Sequence, residues 1–299
     1  MTDSASDVPD EVLAEHGIGL VPLRIRFGAD ELVDRVGLPT KEFWARARAY
    51  PGLPATSAPS PGQFHQAFVA MADQGADAVV CVTLSSKLSV TAEAARQAAR
   101  ELDGRLAVRV VDSLSVTMGE GLLVLAAARA AEEGGKVDDV VSTVVAARSR
   151  LAVFAVLDTL DNLRQGGRIG GMQALMGSLL SIKPVIEVVD GEVAPESRQR
   201  TRGRSLRYLA AKVHAAGALD AMAAFGADAA DLDQFLSLIA GVAPATPLVV
   251  SEIGPVIGTH CGPGAIGVAM LASDRPPSDR PGTDRPPGAG APGAGGWGR

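Results

Sequence analysis

Hydroxyls, glycines and one suggestive histidine gather in three short stretches of this 299-residue chain, and their chemistry is that of holding an anion. The first, PATSAPSPGQF over Pro54–Phe64, is a proline-stiffened loop in which Thr56 and Ser57 precede a segment of helical character. Their hydroxyls, with free backbone N–H groups, could grip an anion, or could simply cap the helix. The second, AVVCVTLSSKLSVT over Ala78–Thr91, is a buried-type strand followed at once by Ser85, Ser86, Ser89 and Thr91. In an open parallel sheet ligands bind beyond the carboxyl ends of the strands, where Ser85 and Ser86 project; helix capping is the plainer role. The third, GPVIGTHCGPG over Gly254–Gly264, reads as a loop whose four glycines permit close backbone approach to a ligand. Its His260 could donate to an oxyanion. His16, His65 and His214 fall on expected helices with no motif around them.

Two further stretches carry charge or apolar stripes. In DTLDNLRQGGRI, Gly166-Gly167 closes a helix and Arg168 opens the next segment, where Met172, Leu175, Met176, Leu179 and Leu180 recur at helical spacing. Such a stripe is ordinary core or the wall of an acyl tunnel. Arg198, Arg200, Arg202, Arg204 and Arg207 form a basic run that is a solvated helix face, a phosphate contact, or a docking patch for an acidic partner. Catalytic motifs are missing: no G-x-S-x-G elbow, no Walker A loop, no acid placed by motif to orient His260, and no paired carboxylates or cysteine–histidine sets at metal spacing. A hydrolase or phosphotransferase using Ser86 and His260 is the competing reading.

These stretches need a frame. Val-rich bursts alternate with Ala/Leu segments of helical period through Asp77–Thr83, Val90–Leu102, Leu106–Asp112 and Glu120–Glu133, the pattern of parallel β-α-β units. After Arg150 the rhythm changes to a strand at Leu151–Leu157, another at Ile182–Val189, and a turn at Asp190-Gly191 with antiparallel character. The reading is an α/β protein: an N-terminal parallel-sheet domain over 1–150, a second α/β domain with a mixed sheet over 151–272, and a disordered Pro/Gly-rich tail over 273–299. Ala218–Phe225 is poor strand material, and Asp231–Ala240 reads as a helix. A formal charge of −6 and a pI near 5.3 argue against nucleic acid. Cys81 and Cys261 lack partners at disulfide or zinc spacing, and no apolar run is long enough to span a bilayer, so a cytoplasmic location is expected.

TDSASDVP, VPLRIRFG, TSAPSPGQF, SSKLSVT, VVDSLSVTMGEG, DTLDNLRQGGRIGG, LLSIKPV and GTHCGPGAIGV, in this order, resemble the signatures of the DegV family from Thr2 to about Ala269. That resemblance implies a two-domain fold (the EDD fold) burying one long-chain fatty acid between its domains. It further implies a non-enzymatic carrier with no cofactor, partner to a fatty acid kinase that supplies the ATP chemistry, with transient membrane-surface contact at most. Head-group ligands would fall on Thr56, Ser57, Ser85 or Ser86, Arg168 and His260, with Arg200, Arg202 and Arg204 facing a phosphorylated product or the kinase. The sequence departs from the family in three places. An apolar strand usually precedes TDS, so a start upstream of Met1 is expected, and without it a first sheet short of a strand and poorly stable. Val90 replaces a small residue near the pocket mouth, and Ala218–Asp228 is less strand-like than its counterpart.

Overall fold

The computed structural model describes residues 1–171 and 182–274. The Met172–Leu180 stripe and nearly all of the tail lie outside the described residues. Within the first half, β1 (Thr2–Asp3), β2 (Leu20–Val21), β6 (Ala78–Thr83) and β7 (Ala107–Asp112) form an all-parallel sheet in the order β2-β1-β6-β7. The strand expected to be lost is present as a two-residue segment at the centre of that sheet. A small antiparallel sheet, β4-β3-β5, comprises β3 (Arg24–Phe27), β4 (Asp30–Val33) and β5 (Ala55–Ser57). The helices are α1 (Asp10–Glu15), α2 (Thr40–Ala49), α3 (Pro61–Asp73), α4 (Thr91–Glu101), α5 (Met118–Glu132) and α6 (Val137–Arg148).

Local chemistry accounts for most of these. Ser60 caps α3 in a reciprocal capping box with Gln63, with Pro61 at the first helical position. Along α4 the alanines Ala92, Ala95 and Ala98 are buried while Glu93, Arg96 and Arg100 pair on the outer face.

The second half carries β8 (Leu151–Val156), β9 (Lys183–Val189), β10 (Glu192–Gln199), β11 (Leu219–Gly226), β12 (Val249–Glu252) and β13 (Ile266–Ala272). They make one mixed sheet, β10-β9-β8-β13-β11-β12, in which β11 and β12 are parallel and the other neighbours antiparallel. Its helices are α7 (Asp161–Gln165), α8 (Arg202–Ala215), α9 (Leu232–Ile239) and α10 (Pro255–Cys261). Asp190 and Gly191, at φ 50° and 86°, make the tight hairpin turn between β9 and β10.

The weak strand candidate at Ala218–Phe225 is in fact a central strand, β11. Its alanines are required by packing: Ala221 and Ala223 join the core shared with α5, while Met222 and Ala224 face the second core with α8 and α9. The Phe225 ring lies against Gly267 of β13, where an added Cβ would sit 2.1 Å from ring carbon Cε2. Burial on both faces thus overrides the low strand propensity of alanine.

Helix α5 joins the halves. Every residue from Met118 to Leu125 is buried, because the helix lies between the parallel sheet and the mixed one. Its approach to β8 needs Gly119, whose added Cβ would stand 2.4 Å from Val153 Cγ2.

Four carboxylates, Asp3, Asp7, Asp34 and Glu120, are buried where the turn after β1 meets α5. Asp3 accepts from the Ala5 and Leu84 N–H groups at 2.9 Å each, and Asp7 Oδ1 accepts from the Gly254 N–H at 2.9 Å. Burial nonetheless pushes Asp3 and Asp7 up to about 7 and Asp34 up to about 6, with Glu120 also well above the usual range.

A group with a raised folded pKa binds more protons in the folded than in the unfolded chain, so stability falls as pH rises through the window between the two values. Stability, and with it Tm, is therefore expected to rise as pH is lowered from about 7 to about 5, by roughly 1.4 kcal/mol per pH unit for each group fully inside its window. His260 has the opposite sign, but only between its lowered value of about 4 and 6.5. Calorimetry of Asp7→Asn should show a shallower slope; an unchanged slope would remove Asp7 from this account.

Candidate ligand-binding site

An apolar cavity of about 500 Å³ has walls from both halves. Leu84 and Val116 line it from the parallel-sheet side, and Val153, Ala155, Leu157, Ile186, Val188 and Val193 from the mixed sheet. That size lies in the usual range for small-molecule sites, roughly 300–1,000 Å³. Its polar lining residues are Thr56, Ser57, Ser86, Lys87, Ser89, Thr117, Arg168 and His260, of which Thr56 and His260 are hydrogen-bonded to each other.

Thr56 sits mid-strand in β5, opposite Ile25 of β3, and the helix capping offered as its alternative role is performed by Ser60. The hydroxyl of Thr56 is therefore free for other use. It lies 2.9 Å from His260 Nε2. His260 is carried by α10, which corrects the expectation of a glycine loop: Pro255 opens a helix whose Gly258 and Gly262 N–H groups donate to Gly254 and Gly258 carbonyls. Those amides are engaged in the helix and do not grip a ligand. Gly258 is there for another reason, since an added Cβ would stand 2.8 Å from Trp44 Cζ2.

Burial, then the positive charge of Arg168, lowers His260 to about 4, so the ring is neutral at pH 7. Its Nδ1 is buried without a partner, packed over Gly166, where a Cβ would lie only 2.4 Å away. A neutral imidazole has one N–H. On Nδ1 that proton would be a buried unpaired donor; on Nε2 it donates to Thr56 Oγ1. The network thus assigns the Nε2–H tautomer, which leaves the Thr56 hydroxyl proton free to donate into the cavity.

Arg168 Nε donates to the Leu88 carbonyl at 3.1 Å and Nη1 to the Gly166 carbonyl at 2.7 Å. Neither Arg168 nor Lys87 has a carboxylate within ion-pair distance among the described residues. The cluster is therefore net positive.

Several expected ligands separate here. Ser86 is exposed on the cavity wall, its N–H donating to Asp112 Oδ1 at 3.2 Å. Ser85 is fully buried and not part of the wall: its hydroxyl donates to the Gly191 carbonyl at 2.7 Å, tying this loop to the β9–β10 turn. Ser89 is engaged locally, its hydroxyl oxygen accepting the Thr91 N–H and bonding the Thr91 hydroxyl. Ser57 lines the cavity from an exposed position, as does Val90, 72% exposed.

Among the arginines, Arg202 is engaged internally by a two-pronged pair with Asp231 at 2.7 and 2.8 Å, whereas Arg200 and Arg204 are exposed. Lys87 was missed by the sequence reading although it adjoins Ser86, and Gly166, read there only as closing a helix, also lies under the His260 ring. Among the described residues no cluster could hold a metal ion, and no helix is long and apolar enough to cross a membrane.

A cavity shared by two sheets, apolar in its walls and with polar side chains gathered on one side, has the make-up of a small-molecule site in an α/β protein. A family model described as "Uncharacterised protein, DegV family" matches residues 1–273, and the chain belongs to the DegV family. It is 37% identical over 277 residues to a DegV domain-containing protein of Streptomyces coelicolor, covering 90% of this chain and 96% of that one. A Thermus thermophilus structure, described as fatty acid binding of a DegV family protein, superposes with a TM-score of 0.83 at 31% identity, covering 91% and 98% of the two chains. DegV of Bacillus subtilis, described as a fatty acid binding protein, gives a TM-score of 0.80 at 26% identity, covering 91% and 98%.

The histidine assignment is open to nitrogen NMR. His260 should show a neutral ring with the proton on Nε2 from pH 8 to 5, while an ordinary imidazole titrates near 6.5. A His260 half-protonated above pH 6 would contradict it.

Proposed function

We propose that the protein binds one long-chain fatty acid in this cavity and presents its carboxylate to a separate fatty acid kinase. The observation that carries the reading is the cavity itself: an apolar chamber with hydroxyl donors on one side, near a guanidinium that has no carboxylate partner among the described residues. Each methylene buried there contributes about 0.8 kcal/mol. Thr56, Ser86 and, through Thr56, His260 supply neutral donors to the head, while Arg168, tethered by two backbone carbonyls, supplies nearby charge. A carboxylate held chiefly by hydroxyls keeps an oxygen able to accept a phosphoryl group.

The DegV relatives described as fatty acid binding support the ligand class. The kinase rests on the family resemblance, with exposed Arg200 and Arg204 as its contact, in a cytoplasmic protein of two domains meeting near residue 150. An enzymatic use of Ser86 and His260 has less support. His260 Nε2 engages Thr56, and its Nδ1 has no acid to orient it.

Protein produced in a lipid-replete host should carry one fatty acid by native mass spectrometry, and added palmitate or oleate should raise Tm of the stripped form. Thr56→Val, which removes a hydrogen bond to a charged group, should weaken palmitate binding about tenfold or more. Apo mass only, with no thermal shift, refutes the binding reading. Charge reversal at Arg200 and Arg204 should leave carriage intact and lower kinase-dependent phosphorylation; unchanged phosphorylation would place the kinase contact elsewhere.

A further inference from the structure

One contact on the helix that carries His260 comes from a residue far from it in sequence. Helix α10 is held in three ways. At its back, Gly258 packs on Trp44 and Phe43; near its end, Asn162 Nδ2 donates to the Thr259 carbonyl at 2.9 Å. Its start is tied to Asp7, where Oδ1 accepts the Gly254 N–H at 2.9 Å and the Ser251 hydroxyl donates to the Asp7 carbonyl. Asp7 is 1% exposed and sits at φ 52°, a left-handed conformation uncommon outside glycine that Asp tolerates better than most residues. The fit is close: a Cβ on Gly254 would lie 2.9 Å from Asp7 Oδ1.

We infer that Asp7 is a positioning residue for the carboxylate site: by holding the first turn of α10 it fixes the distance between His260 and Thr56, and so the direction in which the Thr56 hydroxyl donates. The inference rests on the fatty-acid reading above. Its mechanical step is short. α10 is only the seven residues Pro255–Cys261, so a shift at Gly254 reaches His260 within two turns of one rigid element. A hydrogen bond of 2.9 Å between His260 and Thr56 tolerates little displacement before it weakens.

A general loss of packing would weaken every ligand alike, whereas misplacement of one donor chain penalises the charged head. The experiment therefore compares palmitate with palmityl alcohol on the full chain. Asp7→Ala should weaken palmitate about tenfold, the scale of one charge-assisted hydrogen bond, and palmityl alcohol less than about threefold. Asp7→Asn, whose side-chain carbonyl still accepts from Gly254, should retain palmitate affinity within about threefold. In a His260→Ala background the Asp7→Ala effect on palmitate should fall below about threefold, because the residue it acts through is gone.

Equal losses for both ligands, a full palmitate effect without His260, or no loss in folded Asp7→Ala would each overturn the inference. If Asp7→Ala does not fold by circular dichroism, Gly254→Ala decides by the same ratio, since its Cβ presses directly on Asp7 Oδ1. Wild-type protein that takes up no palmitate overturns the fatty-acid reading itself. Wild-type binding matched by every variant overturns only the role of Asp7.

Discussion

Two carboxylates buried within one turn, Asp3 and Asp7, hold together parts of the chain that are far apart in sequence. Asp3 accepts the Leu84 N–H at the end of β6, and Asp7 accepts the Gly254 N–H at the start of α10. The first contact fixes where the SSKLS segment leaves the parallel sheet. The second fixes the helix that brings His260 to Thr56. Buried acceptors of this kind are costly unless satisfied, and here burial outweighs their hydrogen bonds enough to raise both groups to about 7. The fold tolerates that cost because α5, buried from Met118 to Leu125, binds the two sheets around the same turn.

The cavity is asymmetric for a physical reason. Apolar walls come from strand faces of the mixed sheet, whose alternation places Val153, Ala155 and Leu157 on one side. The donors come from the short strand β5, the turn after β6, the segment after α7, and α10. Keeping His260 neutral suits this arrangement, because a ring buried against Arg168 would charge only at a high cost. Backbone strain gathers at the same place: Leu114 and Thr117 adopt φ of 47° and 50°, and Thr117 lines the cavity.

Much of the first half was legible because local and tertiary preferences agree there. The Val-rich run of β6 and the helical alanine-rich segment of α4 each read correctly, as did the Asp190-Gly191 hairpin turn in the second half, whereas the capping of α3 fell to Ser60 and not to Thr56 or Ser57. Strand β11 was illegible because its alanines are set by the neighbours on both faces, and a small residue carries no β signal of its own. The glycines of Gly254–Gly264 suggested a loop, yet Gly258 serves close helix packing against Trp44.

What the residues alone determined was the α/β alternation, the family, and a short set of hydroxyls with one histidine and one arginine as candidates. Which of adjacent equivalents faces the ligand was decided only in three dimensions. Ser85 and Ser86 are indistinguishable by type, but the β9–β10 turn captures the first and leaves the second on the cavity wall. Arg202 and Arg204 likewise differ only because Asp231 reaches one of them. The part played by Asp7 is a contact spanning 247 positions, and no local pattern encodes a hydrogen bond that exists only once both halves have closed around α5.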